Sequence, residues 1–393
     1  MTSARAFRLG FGCALAIGAG VANAQFAPGE LLLVSNAIGT GTGCGTAGIA
    51  RINTTTWNVS LVTALPSLTR ACYDPYRGAV IVTYVNTTAE AVASTGARTL
   101  LGAPGTNIAT LVASAGDGRI YTWSVTDSRV RYVDAANVLH TLMDATGSTP
   151  YATTGNVGAM WYDHGTNALF FAALVPGDLT QVTRVPLNAA GTMLSGAAAS
   201  TTFDASAGQA GEYPVGFSAG PGGLLFLKID DNSGAAAARM RLIDPVTLTV
   251  SSFATSSYFG VGGEVAGAYV PAIGAAVALD SLNDVLRIYH FGESGAGSTP
   301  ATTGNGVSSC GSGEVATFVL ATAARCPADL DDGSGSGTPD AAVDINDLLY
   351  FLAQYEAGTT GADLDNGSGN GVPDGAVDIN DLLYFLTRYE GGC

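Results

Sequence analysis

The chain of 393 residues carries 16 Lys and Arg against 32 Asp and Glu, a formal net charge of −16 and a pI near 4.3. Binding to a phosphate backbone needs clustered basic side chains, and Lys228 is the only lysine, so a nucleic-acid surface is excluded. Anionic membranes and anionic polysaccharides are poor partners for the same reason, unless a cation bridges to them.

In chain order, residues 1–24 come first. Arg5 and Arg8 precede an apolar run over 9–21 that closes on Ala22-Asn23-Ala24, the pattern of a secretory signal peptide. That run is too short to span a bilayer and no later stretch reaches spanning length. The mature protein is therefore expected to be secreted, extracellular or at the cell surface, with no transmembrane segment. Export puts Cys44, Cys72, Cys310, Cys326 and Cys393 in an oxidising compartment, where disulfides form. Cys326 and Cys393 bracket the last segment, and a bridge between them would stabilise it by about 4 kcal/mol of chain entropy. The alternative is Cys393 as an intermolecular thiol. Cys44 is left to pair with Cys72 or with Cys310.

Over 25–322 the sequence is rich in Gly, Ala, Thr, Val and Ser, and short apolar runs are punctuated by Gly, Asp and Pro, as in strands and turns. A turn followed by a strand run recurs: Cys72-Tyr73-Asp74-Pro75, Ala115-Gly116-Asp117-Gly118, Trp161-Tyr162-Asp163-His164, Gly216-Phe217-Ser218-Ala219-Gly220 and Gly267-Ala268-Tyr269-Val270-Pro271. Recurrence roughly every 40–55 residues with about four strands per unit is the spacing of propeller blades. The expected fold class is mainly β, a six-bladed β-propeller, with a seven-bladed propeller or a β-sandwich as alternatives. The first unit, 31–63, lacks its opening strand, and 314–320 is positioned in the sequence to return and supply it.

Chemistry is sparse in this domain. His140, His164 and His290 are the only histidines, and Asp163-His164 reads as a turn with a solvated imidazole. No Gly-x-Ser-x-Gly elbow sits in a strand-turn-helix setting. Glu90, Glu212, Glu264, Asp117, Asp163 and Asp230 are candidates for a paired-carboxylate site by residue type alone. No catalytic or cofactor-binding residue is assigned.

The last segment, 326–393, repeats itself. Asp329-Leu330-Asp331-Asp332-Gly333 through Tyr355-Glu356 returns as Asp363-Leu364-Asp365-Asn366-Gly367 through Tyr389-Glu390, with about four-fifths of positions identical. Each copy joins a carboxylate-rich loop to a short amphipathic helix, an order of parts that suits a hard, oxygen-binding cation. Laid on a calcium loop, Asp329, Asp331, Asp340, Asp344 and Asp347 take ligand positions one, three, five, nine and twelve. Asp363, Asp365, Asp374, Asp378 and Asp381 do so in the second copy, where Gly375 supplies the sharp turn. Two calcium ions are expected. A Gly/Ser insertion separates the third and fifth positions, at a closure cost of roughly 1–2 kcal/mol. Asp344 and Asp378 also stand where helix N-caps belong. Leu348, Leu349, Leu352 and Tyr355 follow at helical spacing and are expected to form one stripe pressed against the twin helix. Tyr350, Phe351, Tyr384 and Phe385 are expected to divide between that contact and an outer face.

These loops and helices resemble the dockerin family of calcium-binding modules, and the ending Tyr389-Glu390-Gly391-Gly392-Cys393 is similar to the Gly-Cys-terminated type on secreted bacterial proteins. The resemblance implies a small α-helical, EF-hand-like module that docks on a protein partner, cohesin-like or in the cell envelope. The chain then reads as a non-catalytic binding or structural protein, with a glycan as one candidate ligand of the β domain. Two other readings stand beside it: a carbohydrate-active enzyme, a glycoside hydrolase or lyase, carrying a dockerin, and a calcium-dependent cap without a partner.

Overall fold

The computed structural model describes residues 25–38, 46–66, 68–84, 89–102, 111–153, 155–177, 179–204, 212–231, 239–255, 264–280, 285–292, 316–322, 326–331, 333, 335, 337, 343–365, 367 and 375–391. Many of the strand segments are too uniformly apolar for a sheet with one wet face. Ala79–Tyr84, for example, is buried along its whole length. Side chains alternate between the two faces of a strand, so such a sheet needs cover on both sides. A ring of sheets standing face to face provides it.

The first sheet holds β1 (Leu31–Ile38), β2 (Thr46–Ile52) and β3 (Val59–Ala64). The second holds β4 (Leu68–Asp74), β5 (Ala79–Tyr84), β6 (Ala89–Val92) and β7 (Arg98–Leu101). The third holds β8 (Leu111–Ser114), β9 (Ile120–Trp123), β10 (Val130–Val133) and β11 (Leu139–Thr141). The fourth holds β12 (Asn156–Asp163), β13 (Ala168–Val175), β14 (Leu179–Pro186) and β15 (Ala199–Phe203). The fifth holds β16 (Glu212–Ala219), β17 (Leu225–Asp231), β18 (Arg239–Ile243) and β19 (Val250–Thr255). The sixth holds β20 (Glu264–Val270), β21 (Ala275–Asp280) and β22 (Val285–His290). The late strand β23 (Ala316–Leu320) joins the first sheet, pairing antiparallel with β1 from Leu31↔Leu320 to Ser35↔Ala316. It supplies the missing opening strand, so the two ends of the domain close one blade.

The innermost strands β23, β4, β8, β12, β16 and β20 touch in that order, and β20 meets β23 again. This is a six-bladed propeller. Alternation along single strands builds the seams between blades: Leu32 and Val34 face the second blade while Leu31 and Leu33 face the sixth. Six apolar clusters, one per seam, result. A β-bulge recurs in β4, β12, β16 and β20, between Leu68 and Arg70, Val157 and Ala159, Pro214 and Gly216, and Glu264 and Ala266. At the second of these, a Cβ on Gly158 would lie 2.0 Å from the Pro214 carbonyl oxygen, so glycine permits the close approach of β12 and β16.

The Cys44–Cys72 alternative is not realised. Cys72 is a free thiol packed at the seam of the second and third blades. Burial and the neighbouring Asp74 push its pKa well above the ordinary thiol range. Cys44, Cys310 and Cys393 lie outside the described residues, as does the signal segment 1–24. Cys326 is buried in the core of the tail. Among the described residues no helix is long and apolar enough to cross a membrane.

Two helices follow the propeller, α1 (Ile345–Glu356) and α2 (Ile379–Gly391). Their core, with Cys326, Ala328, Phe351, Ala362 and Phe385 at its centre, shares no residue with the six seams.

Candidate metal centre in the duplicated tail

The repeat in the sequence becomes a repeat in space. Phe351 and Phe385 stack at 4.1 Å between centroids with planes 2° apart, and both are fully buried. Tyr355 and Tyr389 flank them at 5.8 and 5.7 Å. Leu348 and Leu382 pack beside this centre. The expected inward stripe is corrected here, because Leu349 and Leu352 point outward. Phe351 takes the inner position, and the large flat ring that can stack on its own copy determines which face turns in. Tyr350 and Tyr384 are partly exposed. Tyr350 leans over Gly337, where an added Cβ would meet its hydroxyl at 2.3 Å, and Arg388 lies over the Tyr384 ring at 5.1 Å.

Asp344 caps α1, its Oδ1 accepting from the Asn346 N–H at 2.8 Å while Asp347 Oδ2 accepts in return from the Asp344 N–H at 2.8 Å. Asp378, Asn380 and Asp381 reproduce both bonds, at 2.7 and 2.8 Å. The other oxygen of Asp347 accepts from the N–H groups of Leu330 and Asp331, at 2.5 and 2.8 Å. Asp381 does the same for Leu364 and Asp365, at 2.6 and 2.8 Å. Each twelfth-position carboxylate therefore ties the helix start to the first turn of its loop, across the Gly/Ser insertion.

The insertion is itself organised by a carboxylate. Asp331 Oδ2 accepts from Gly333 and Gly335 N–H at 3.0 and 2.8 Å, and its Oδ1 accepts from Gly337 N–H at 2.8 Å. The three glycines have φ of +87°, +74° and +74°, values that L side chains rarely adopt. The alternate Gly spacing of the sequence is the signal for this wrap. In the second copy Gly367 N–H reaches Asp365 Oδ2 at 2.9 Å, and Gly375 N–H reaches Asp363 Oδ2 at 2.8 Å, linking positions six and one of the loop.

Asp329, Asp331 and Asp347 are buried, as are Asp363, Asp365 and Asp381. Asp344 and Asp378 are exposed at the helix starts, and Asp340 and Asp374, the residues expected at the fifth position, lie outside the described residues. Among the described residues no three acidic, His or Cys side chains form a group that would hold an ion. The donor chemistry nonetheless fits a hard cation: oxygen ligands only, six of them on buried carboxylates, in a segment whose sole basic residue is the exposed Arg388. Backbone N–H groups offset part of the buried negative charge, and a divalent ion would offset the rest.

The propeller axis offers different chemistry. The cavity there is lined from all six innermost strands, and among its described lining residues Arg70 is the one charged side chain, with no Asp, Glu or His. The acids singled out by type are used elsewhere. Glu90 pairs with Arg98 and Tyr84, Asp117 with Arg119, and Asp163 Oδ2 accepts from the N–H and hydroxyl of Thr166 in a turn. The side chains of Glu212, Glu264 and Asp230 are outside the described set. His164 is exposed in that same turn, edge-on to Tyr162 at 4.9 Å.

No family model matches the chain, and no curated protein matches it. Among solved structures it is similar to TolB from Acinetobacter baumannii, at 12% identity over 74% of this chain and 66% of that one, with a TM-score of 0.46. It is also similar to streptogramin B lyase, at 11% identity over 75% and 100% of the two chains and a TM-score of 0.41. The Cps50 (Swd1) β-propeller domain of Myceliophteria thermophila matches at 10% identity over 65% and 79%, with a TM-score of 0.41.

Proposed function

We propose that the chain is an exported, non-catalytic binding or structural protein whose propeller is attached to a protein partner through a calcium-loaded, dockerin-like tail. Asp329, Asp331, Asp340, Asp344 and Asp347 would hold one ion, and Asp363, Asp365, Asp374, Asp378 and Asp381 the other. The ion supplies the positive charge that lets the buried carboxylates of each loop sit together. The residues of the chain do the remainder: Asp347 and Asp381 tie loop to helix, and the Phe351–Phe385 stack fixes the two helices against each other.

The observation that carries this reading is what the helices leave outside. Ile345, Leu349 and Leu352 on α1, and Ile379, Leu383 and Leu386 on α2, are between 39 and 58% exposed. Each set follows an i, i+4, i+7 spacing and so forms a stripe along one helix face. Corresponding members of the two sets lie 34 residues apart, so the duplication extends to the outer face. An apolar stripe costs solubility and earns a role only when a partner covers it. Aliphatic side chains rimmed by carboxylates suit a protein surface with an apolar centre and a basic or hydroxylated rim.

The test is capture of cell-envelope proteins on the immobilised full chain. The same partner should be retained in calcium and lost in EDTA. The double variant Leu349→Asp, Leu383→Asp should lose it by at least tenfold in affinity while keeping its helical circular dichroism, since both side chains already face water. Retention by that variant, or retention in EDTA, contradicts the reading.

A further inference from the structure

Gln25 directly follows Ala22-Asn23-Ala24, the small-residue pattern at which an export segment is cut. On the export reading above it becomes the first residue of the mature chain. A free α-amine and a side-chain carboxamide then stand on one residue.

The structure holds this residue in place. Phe26 is buried, edge-on to Tyr73 at 6.4 Å and under the Arg51 guanidinium at 5.5 Å, so the backbone that follows Gln25 is pinned. The Gln25 side chain lies over Gly78 in the turn between β4 and β5, where an added Cβ would meet its Cγ at 2.3 Å, its Cδ at 2.5 Å and its Nε2 at 2.8 Å. The same short stretch closes the propeller. Gly29 N–H donates to the Ala321 carbonyl at 2.7 Å, and Ala321 N–H donates to the Glu30 carbonyl at 2.9 Å. Phe26 shares its apolar cluster with Val319 and Ala321. Trimming from residue 25 inward would take Phe26 out of that cluster and then remove both bonds that join the two ends of the domain.

We propose that Gln25, once freed of the export segment, closes into a pyroglutamyl lactam that shields this seam from aminopeptidases. The neutral α-amine attacks the side-chain Cδ. The N–Cδ bond forms, the Cδ–Nε2 bond breaks, and Nε2 leaves as ammonia with the proton given up by the α-nitrogen. Nothing is oxidised or reduced, and no co-reactant is consumed. An α-amine titrates at about 7.7–8.0, so part of it is the neutral nucleophile near neutral pH. Nucleophile and carbonyl belong to one residue, which makes the step intramolecular. The product carries no α-ammonium for an aminopeptidase to recognise, and it adds no bulk over Gly78. The cap rests on the export reading and is independent of calcium in the tail.

Expression of the full chain with its own export segment, followed by intact-mass and N-terminal peptide analysis of the exported protein, tests it. The chain should begin at residue 25, be lighter than the open glutamine form by one ammonia, and fail to react at its N-terminus with an amine-directed label. Gln25→Asn, whose shorter side chain cannot close a five-membered lactam, should be exported with a free amine that takes the label. A broad-specificity aminopeptidase should remove residues from that variant and lower its melting temperature while the wild type keeps its mass. A wild-type chain that begins at residue 25 with the open mass and a reactive amine, or equal resistance of the two chains, would overturn the proposal. A chain that still carries residues 1–24 would overturn the export reading itself, and the cap with it.

Discussion

Transferring the full chain into EDTA should abolish most of its α-helical circular dichroism and leave its β signal in place. Among the described residues α-helix occurs only in α1 and α2, so the helical band reports on the tail alone. Helices of 12 and 13 residues are marginal in water without tertiary support. Their support is a small core fastened to two loops that bury six aspartates. Two carboxylates about 5 Å apart repel by about 3 kcal/mol at an effective dielectric of about 20, and three on one loop compound the effect. Without a cation the loops should open, and the first turns of α1 and α2 lose the anchorage that Asp347 and Asp381 provide. Heating should then show one transition, that of the propeller, where the calcium-loaded chain shows two. Unchanged helicity in chelator would mean that backbone N–H groups suffice for the buried charge.

Phe385→Ala should lower the melting transition of the calcium-loaded tail and unfold the tail once calcium is limiting, and Phe351→Ala should do the same. Truncating a buried Phe costs about 3–5 kcal/mol, and losing a stacked aromatic partner adds about 1 kcal/mol. A segment this small holds only about 3–5 kcal/mol of stability before metal and disulfide are counted. Each of two bound ions returns about 2.7 kcal/mol at a hundredfold excess over Kd, so the loss is offset only while calcium is in excess. The propeller transition should not move, because no residue of the tail core belongs to a blade seam. Phe385→Leu, which keeps most of the volume and loses the stack, should fall between wild type and Phe385→Ala. Calcium-dependent helicity across these variants, read beside the propeller melting temperature, separates the two outcomes. An unchanged tail transition and an unchanged calcium requirement in Phe385→Ala would show that the stack is not what holds the copies together.

The sequence carried the propeller in its hairpin turns. Tyr73-Asp74-Pro75, Gly116-Asp117-Gly118 and Tyr162-Asp163-His164 each sit between the innermost strand of a blade and the next, so one turn chemistry repeated around the ring was readable as a period. The closing strand was readable as a deficit, since the segment holding β1 to β3 had one strand too few and a β run returned at the far end. The capping residues Asp344 and Asp378 were readable because an N-cap is a local choice.

What was not readable depends on contacts between distant parts. The run Ile345-Asn346-Asp347-Leu348-Leu349-Tyr350-Phe351-Leu352 has apolar residues on two faces at once, so helical period alone could not say that Leu348 and Phe351 turn in while Ile345, Leu349 and Leu352 turn out. The free state of Cys72 follows from its place at a blade seam, and a cysteine spacing says nothing about that.

The account rests on the duplicated loops being two metal sites, and counting bound calcium tests it most directly. After equilibrium dialysis in trace calcium, elemental analysis of the full chain should find two ions per molecule. Asp381→Asn, which keeps the shape of one anchoring carboxylate and removes its charge, should retain one. A wild-type chain that retains none, or a variant that retains the same number as wild type, would contradict the account.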